Sequence, residues 1–240
     1  MIGTLINAAT VFVASLLGAF LGKRLSERMR QTVIGGLGLV TAVVGMQMAL
    51  GTRNILLVMG SVLVGGILGE CWQIEARLEA IGGWLEERVG DRFGSTSERS
   101  VPRAFVAASL VFCVGPMTII GSIQDGLTGD YRLLAIKSVL DGFAALAFSA
   151  SMGPGVLLSV LTIVVLQGGI SVAAMSVGGA VGEVNRQTPW VIEMTATGGL
   201  LMLGISLLLL ELRRIRVANL LPAILIAPLA QLALELLDLA

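Results

Sequence analysis

The 240-residue chain contains no histidine. The usual proton shuttle near neutral pH and the commonest metal ligand are therefore missing. Any Ser-His or Cys-His catalytic pair is missing with them. Cys71 and Cys113 are the only cysteines, which make no zinc pattern and require no disulfide. Aromatic residues are 5% of the chain and charged residues 13%. With so few flat side chains, a binding site here suits an ion or small solute better than a large planar substrate. The formal net charge is zero, so bulk charge gives no reason to expect nucleic acid. No nucleotide-binding motif is present, and ATP is not the expected energy source within this chain. No metal and no organic cofactor is expected.

What is abundant is apolar sequence. Hydrophobic residues make up 55% of the chain and mean hydropathy is +0.92. Repeated apolar runs near the spanning length of ~20 residues predict a polytopic membrane protein. The 31 glycines suit a tight helical bundle, because small residues let helices approach closely in lipid. The alternating segments of a β-barrel are not seen. The expected fold class is an all-α, polytopic transmembrane helical bundle forming one integral membrane domain over residues 1–240.

The runs predict eight spans, at Gly3–Leu21, Thr32–Leu50, Asn54–Gly69, Ala104–Ile123, Leu133–Met152, Gly155–Val177, Pro189–Leu210 and Val217–Leu236. The first has no basic residue before it and reads as a membrane helix, not a cleaved signal. Basic residues cluster in loop one (Lys23, Arg24, Arg28, Arg30), loop three (Arg77, Arg88, Arg92, Arg99, Arg103) and loop seven (Arg213, Arg214, Arg216). All three loops are odd-numbered, so one orientation puts every cluster in the cytoplasm and both termini outside. Within loop three, Ile74, Leu78, Ile81 and Leu85 share one helical face over 74–89. With Trp72 and Trp84 nearby, this predicts a helix lying on the membrane surface. A linker containing Gly94-Ser95-Thr96-Ser97 follows; together they occupy residues 70–100. A regulatory or partner-binding helix is the alternative.

The spans also rhyme. Gly18-Ala-Phe-Leu-Gly22 in span one matches Gly178-Gly-Ala-Val-Gly182 after span six. Thr32-Val-Ile-Gly35-Gly36-Leu37 matches Thr195-Ala-Thr-Gly198-Gly199-Leu200, and Asn54-Ile-Leu-Leu matches Asn219-Leu-Leu. Ala107-Ala108…Phe112…Gly115-Pro116 matches Ala144-Ala145…Phe148…Gly153-Pro154. Spans 1-2-3-4 then pair with spans 6-7-8-5, each pair crossing in opposite directions. That is an inverted repeat, an architecture of many secondary transporters. Chance is the alternative, since Gly, Ala and Leu dominate the sequence.

Polar groups concentrate around span four. Proline frees the carbonyl one turn back, so Gly115-Pro116 predicts a broken helix at membrane depth. Such a break is tolerated only where protein or a water cavity covers it, and it offers backbone carbonyls or amides to ions. A simple packing kink is the alternative. Lys137 and Asp141 stand one turn apart in span five, with Asp141 about 12 Å deep by the helical rise. Gln167 lies near the midplane of span six. Asn7, Gln47, Gln124, Asp125 and Glu193 map to the outer half, which predicts a polar cavity open to the outside. Ionisable groups in the membrane are functional-site candidates; the competing reading is a buried salt bridge with hydrogen-bond glue between helices. For Glu193, beside Trp190 near a helix end, interfacial solvation is expected.

The stretches CVGPMTIIGSIQDGLTGDY, KSVLDG, EMTATGG and VANLLPAIL, with the opening GTLINAATV, resemble the bacterial domain-of-unknown-function 554 family. The resemblance covers nearly the whole chain. It implies a small bacterial inner-membrane protein and supplies no catalytic residues.

The leading expectation is a small-solute or ion transporter or channel, not an enzyme. Its pathway residues are Gly115, Pro116, Gln124, Asp125, Lys137, Asp141, Gln167, Asn7 and Glu193. A structural or assembly subunit is the alternative. An intramembrane enzyme using Asp125, Asp130 and Asp141 ranks behind both, because a paired motif on a neighbouring span is missing. The expected partners are the lipid bilayer and a small solute or ion. GxxxG faces also permit a homodimer, though internal packing explains them as well.

Overall fold

The structure is a computed structural model of the chain; it describes all residues except 23, 90–100, 178–184, 186, 214 and 238–240, and within helices omits the side chains of 82 and 85–89. Among the described residues there are ten α-helices and no strand. They are α1 (Ile2–Gly22), α2 (Glu27–Ala49), α3 (Ile55–Trp72), α4 (Ile74–Val89), α5 (Val101–Cys113), α6 (Pro116–Leu127), α7 (Arg132–Met152), α8 (Ser159–Val177), α9 (Pro189–Leu209) and α10 (Pro222–Leu236). Short 3₁₀ turns at Pro154–Leu158 and Val217–Leu220 lead into α8 and α10. Seven segments are long and apolar enough to cross a membrane, and α5 with α6, bent by 63°, make an eighth.

The helix ends follow local chemistry. Asn54 caps α3, its Oδ1 accepting the Leu57 N–H at 3.2 Å. Gln73 takes the left-handed conformation (φ 49°), which turns the chain from α3 into α4. Pro116, Pro189 and Pro222 each stand at a helix start, where the missing N–H is no loss. The outward surface is oily: Phe143 and Val165 are each 73% exposed. That is the surface of a protein solvated by acyl chains.

The described chain divides into two compact units, each assembled from distant segments. The first takes Met1–Leu37, Leu78–Cys113 and Met117–Val184; the second takes Gly38–Arg77, Val114–Pro116 and Asn185–Ala240. The proposed repeat partners sort together. Spans one, four (apart from Val114–Pro116), five and six fall in the first unit, and spans two (in its larger part), three, seven and eight in the second.

In the first unit, α1 and α7 run parallel. Gly3 lies against Leu134, and Gly18 and Gly22 lie against the chain at Leu146 and Ala150. A Cβ at Gly18 or Gly22 would strike the carbonyl of Leu146 or of Ala150. The bent α5–α6 segment likewise runs parallel to α8: Ser109 bonds Thr162, and Gly126 packs on Ser171. In the second unit α3 and α10 are antiparallel, with Gly65 on Ala223 and Gly69 on Asn219. The part of α2 in that unit is antiparallel to α9, with Gly38 beside Leu210 and Gly45 beside Gly199. Within each unit, odd-numbered spans thus run with odd ones and even with even, and odd against even.

The helix expected over 74–89 is present as α4, with Ile81 and Trp84 exposed. The linker at 94–97 and the repeat segment at 178–182 lie outside the described residues.

Candidate functional site

The first unit holds a continuous polar cluster inside its apolar helices. Its centre is the Phe112 carbonyl near the end of α5. The chain leaves α5 after Cys113, passes Val114 and Gly115, and re-enters helix at Pro116. The carbonyl four residues before Pro116 belongs to Phe112, and proline at 116 denies it an ordinary helical partner. Two side chains supply the partners instead. Thr118 Oγ1 donates to the Phe112 carbonyl at 3.1 Å, and Lys137 Nζ donates to it at 2.8 Å. Lys137 also pairs with the Asp141 carboxylate one turn further along α7. Asp141 Oδ2 accepts a second hydrogen bond, from Asn7 Nδ2 at 3.0 Å, and Asn7 Nδ2 donates to Gln167 Oε1 at 3.3 Å.

These groups are shut away from solvent. Asn7 and Gln167 have no exposed surface, and Lys137 and Asp141 are 6% and 8% exposed. Desolvating such a pair costs several kcal/mol per ion, on the order of what its mutual attraction returns, unless further hydrogen bonds saturate it. The Phe112 carbonyl and the Asn7 amide supply those bonds. Thr4 Oγ1, Asn7 Oδ1, Ser122 Oγ and Gln167 Nε2, among other atoms of the described residues in this unit, are nevertheless buried without a hydrogen-bond partner.

Asp125, on α6, is buried at one end of the cluster. Its Oδ2 accepts the Gly3 N–H at 3.1 Å, and its Oδ1 lies 3.0 Å from the Met1 amino group. Ser171 Oγ on α8 donates to the Ser122 carbonyl on α6 at 2.9 Å, one turn from Gln167. Gln124 is half-buried, and its carbonyl accepts Thr128 Oγ1 at 2.9 Å. Gly115 and Pro116 are half-buried, and a Cβ at Gly115 would meet nothing within 4 Å. Phe112 and Phe148, equivalent in the sequence rhyme, stack edge to face with centroids 6.3 Å apart.

Glu193 belongs to the second unit and has a different role. It is 1% exposed, where interfacial solvation was the expectation. Its carboxylate caps the start of α3, accepting Thr52 Oγ1 at 2.5 Å and the N–H groups of Arg53 and Asn54 at 2.8 and 3.2 Å. Thr195 and Thr197 bond back to the Val191 and Glu193 carbonyls of their own helix. Sequence reasoning named Lys137, Asp141, Asn7 and Gln167 singly or as one helical pair. The carbonyl that Pro116 is expected to free is that of Phe112; Thr118, its hydroxyl partner, was passed over.

The family model described as a protein of unknown function (DUF554) matches residues 2–232. The chain is 28% identical over 228 residues to the uncharacterized protein YqgA of Escherichia coli, covering 95% of this chain and 94% of that one. It is 25% identical over 232 residues to the uncharacterized membrane protein YdfK of Bacillus subtilis, with the same coverage of each chain. No solved structure matches. A match of this extent leaves no second assignment for the chain: it is a multi-helix membrane protein belonging to the DUF554 family.

Proposed function

We propose that the protein is a transporter or channel for a small solute or ion, with its site at the broken span. The observation that carries this reading is the Phe112–Lys137–Asp141–Asn7–Gln167 chain of contacts. It joins the carbonyl before a helix break, an ion pair and two buried amides. A purely structural ion pair has no use for a broken helix, nor for buried polar atoms left without partners. The sorting of repeat partners into common units adds support, because inverted repeats place substrate sites at discontinuous helices. On this reading the protein is not an enzyme. It sits in the bacterial cytoplasmic (inner) membrane with both termini outside and the Arg-rich loops inside.

The second reading is a structural or assembly subunit, favoured by the full burial of Asn7 and Gln167. Flux in proteoliposomes separates the two. Wild type is compared with Asp141→Asn across protons, small inorganic ions and small organic solutes. Flux that the substitution removes from a folded protein supports transport. Absence of flux for every solute favours the subunit.

A further inference from the structure

α4 sets out directly from the end of a membrane span. The span α3 stops at Trp72, Gln73 makes the left-handed turn, and α4 starts at Ile74. The first turn of α4 is then tied down. Asn219 Oδ1, at the start of the last span, accepts the Glu75 N–H at 2.8 Å, and Glu75 Oε2 accepts the Ala218 N–H at 3.2 Å. Asn219 Nδ2 donates to Glu70 Oε2, near the end of α3, at 2.6 Å. One span therefore ends and another begins at a single level, and α4 leaves from that level with its first turn fixed. Trp72 is 54% exposed there, and indole rings favour the headgroup layer.

The sides of α4 are unequally covered. Ile74 and Leu78, two of the four residues on the apolar face read from the sequence, are half-buried, whereas Arg77, Ala80, Ile81 and Trp84 are exposed. The uncovered face is thus turned away from the expected one, toward Arg77 and Trp84. At 3.6 residues per turn, Arg77, Ile81 and Trp84 lie within about 60° of one another, and Arg88 has the same register position. Glu75, Glu79 and Glu86 fall on the opposite side, with Glu87 at the edge. Ile81 and Trp84 are apolar bodies, Trp84 with an N–H at its tip, and arginine lays its stem on apolar surface while its head stays among polar groups.

We propose that this face of α4 is a docking surface for the headgroup layer of the protein's own bilayer. Ile81 and Trp84 enter the boundary with the acyl chains, and Arg77 reaches the lipid phosphates beside them. Continuity with α3 favours the bilayer over a soluble partner, because the helix begins where a span ends. The separation of arginine from glutamate favours an anionic surface. The inference stands apart from the transport reading, and its test involves no flux.

The experiment uses the full chain in nanodiscs of phosphatidylcholine and phosphatidylglycerol. The chain has three tryptophans, so Trp72→Phe with Trp190→Phe leaves Trp84 as the only indole. Its fluorescence is quenched from the water by acrylamide and from the bilayer by phospholipid brominated on the acyl chain near the headgroup. Docking predicts acrylamide quenching several-fold weaker than that of N-acetyltryptophanamide, and a clear loss of emission in brominated discs. Ile81→Asp in the same background should restore emission in brominated discs and strengthen acrylamide quenching. Emission indifferent to brominated lipid overturns the proposal: strong acrylamide quenching then puts the face in water, and weak quenching puts it under protein, a second copy included. An Ile81→Asp variant quenched like its parent overturns it as well. If the double replacement does not fold, the difference in quenching between wild type and Trp84→Phe reads the same quantity through a change at one exposed position.

Discussion

Asn7 and Gln167 are 160 residues apart in sequence and meet at 3.3 Å. That separation is the offset at which Gly18 and Gly22 of span one match Gly178 and Gly182 beyond span six. Two positions equivalent in the proposed repeat therefore touch each other, as positions near an internal twofold axis must. Phe112 and Phe148, equivalent in the other pair of spans of that unit, also touch. If the amide contact stabilises the unit, Asn7→Ala and Gln167→Ala will be less than additive. A double-mutant cycle on unfolding in mixed micelles should give a coupling of about 0.5–2 kcal/mol. Strict additivity would show that the two amides are mere neighbours.

The Lys137–Asp141 pair should be costly to halve and cheap to delete. Lys137→Met alone leaves a buried carboxylate, and a loss of ~3–5 kcal/mol is expected. Lys137→Met with Asp141→Leu removes both charges and should recover more than half of that loss; on the proposed transport reading it should also abolish flux. Unfolding midpoints and flux measured on the same preparations check this. A double variant as unstable as the single one would mean that the Phe112 carbonyl and the Asn7 amide depend on the pair.

Glu193 should behave as a cap. Glu193→Ala strips acceptors from the Arg53 and Asn54 amides, and a loss of about 1.5–3 kcal/mol follows for hydrogen bonds to a charged group. Hydrogen exchange should accelerate at those two amides first. Protection that stays unchanged there would remove the capping role.

Two glycines should respond in opposite ways to the same change. A Cβ at Gly69 would collide with the Asn219 backbone carbonyl, whereas one at Gly115 meets nothing within 4 Å. Gly69→Ala should cost ~1–3 kcal/mol or more, because backbone on both sides has to move. Gly115→Ala should be neutral or stabilising by a few tenths to ~1 kcal/mol through the unfolded chain. If Gly115→Ala nonetheless slows flux, the break moves during transport.

The spans, the break and the helix over 74–89 were legible because each is written in local pattern. Apolar length marks a span, Gly115-Pro116 marks a break, and the period of Ile74, Leu78, Ile81 and Leu85 marks α4. The Lys137–Asp141 pair was legible for the same reason, since one helical turn separates the two residues. Who meets whom across the bundle was not. Asn7 reaches Asp141 across 134 residues, and no local period carries that information. Glu193 was misjudged on similar grounds: its position beside Trp190 suggests an interface, while its burial comes from the start of α3. The freed carbonyl was legible from Pro116, whereas its partners Thr118 and Lys137 were not.

The parallel pairing of α1 with α7 has a consequence for biogenesis. Translation at ~5–20 residues per second separates the emergence of Asn7 from that of Asp141 by roughly 7–27 s. Through that interval α1 is already in the membrane with its amide side chain and glycine face unmatched. α1 is thus made well before the partner it packs on, and must be held near the insertion machinery or against provisional neighbours until the second half of the chain arrives.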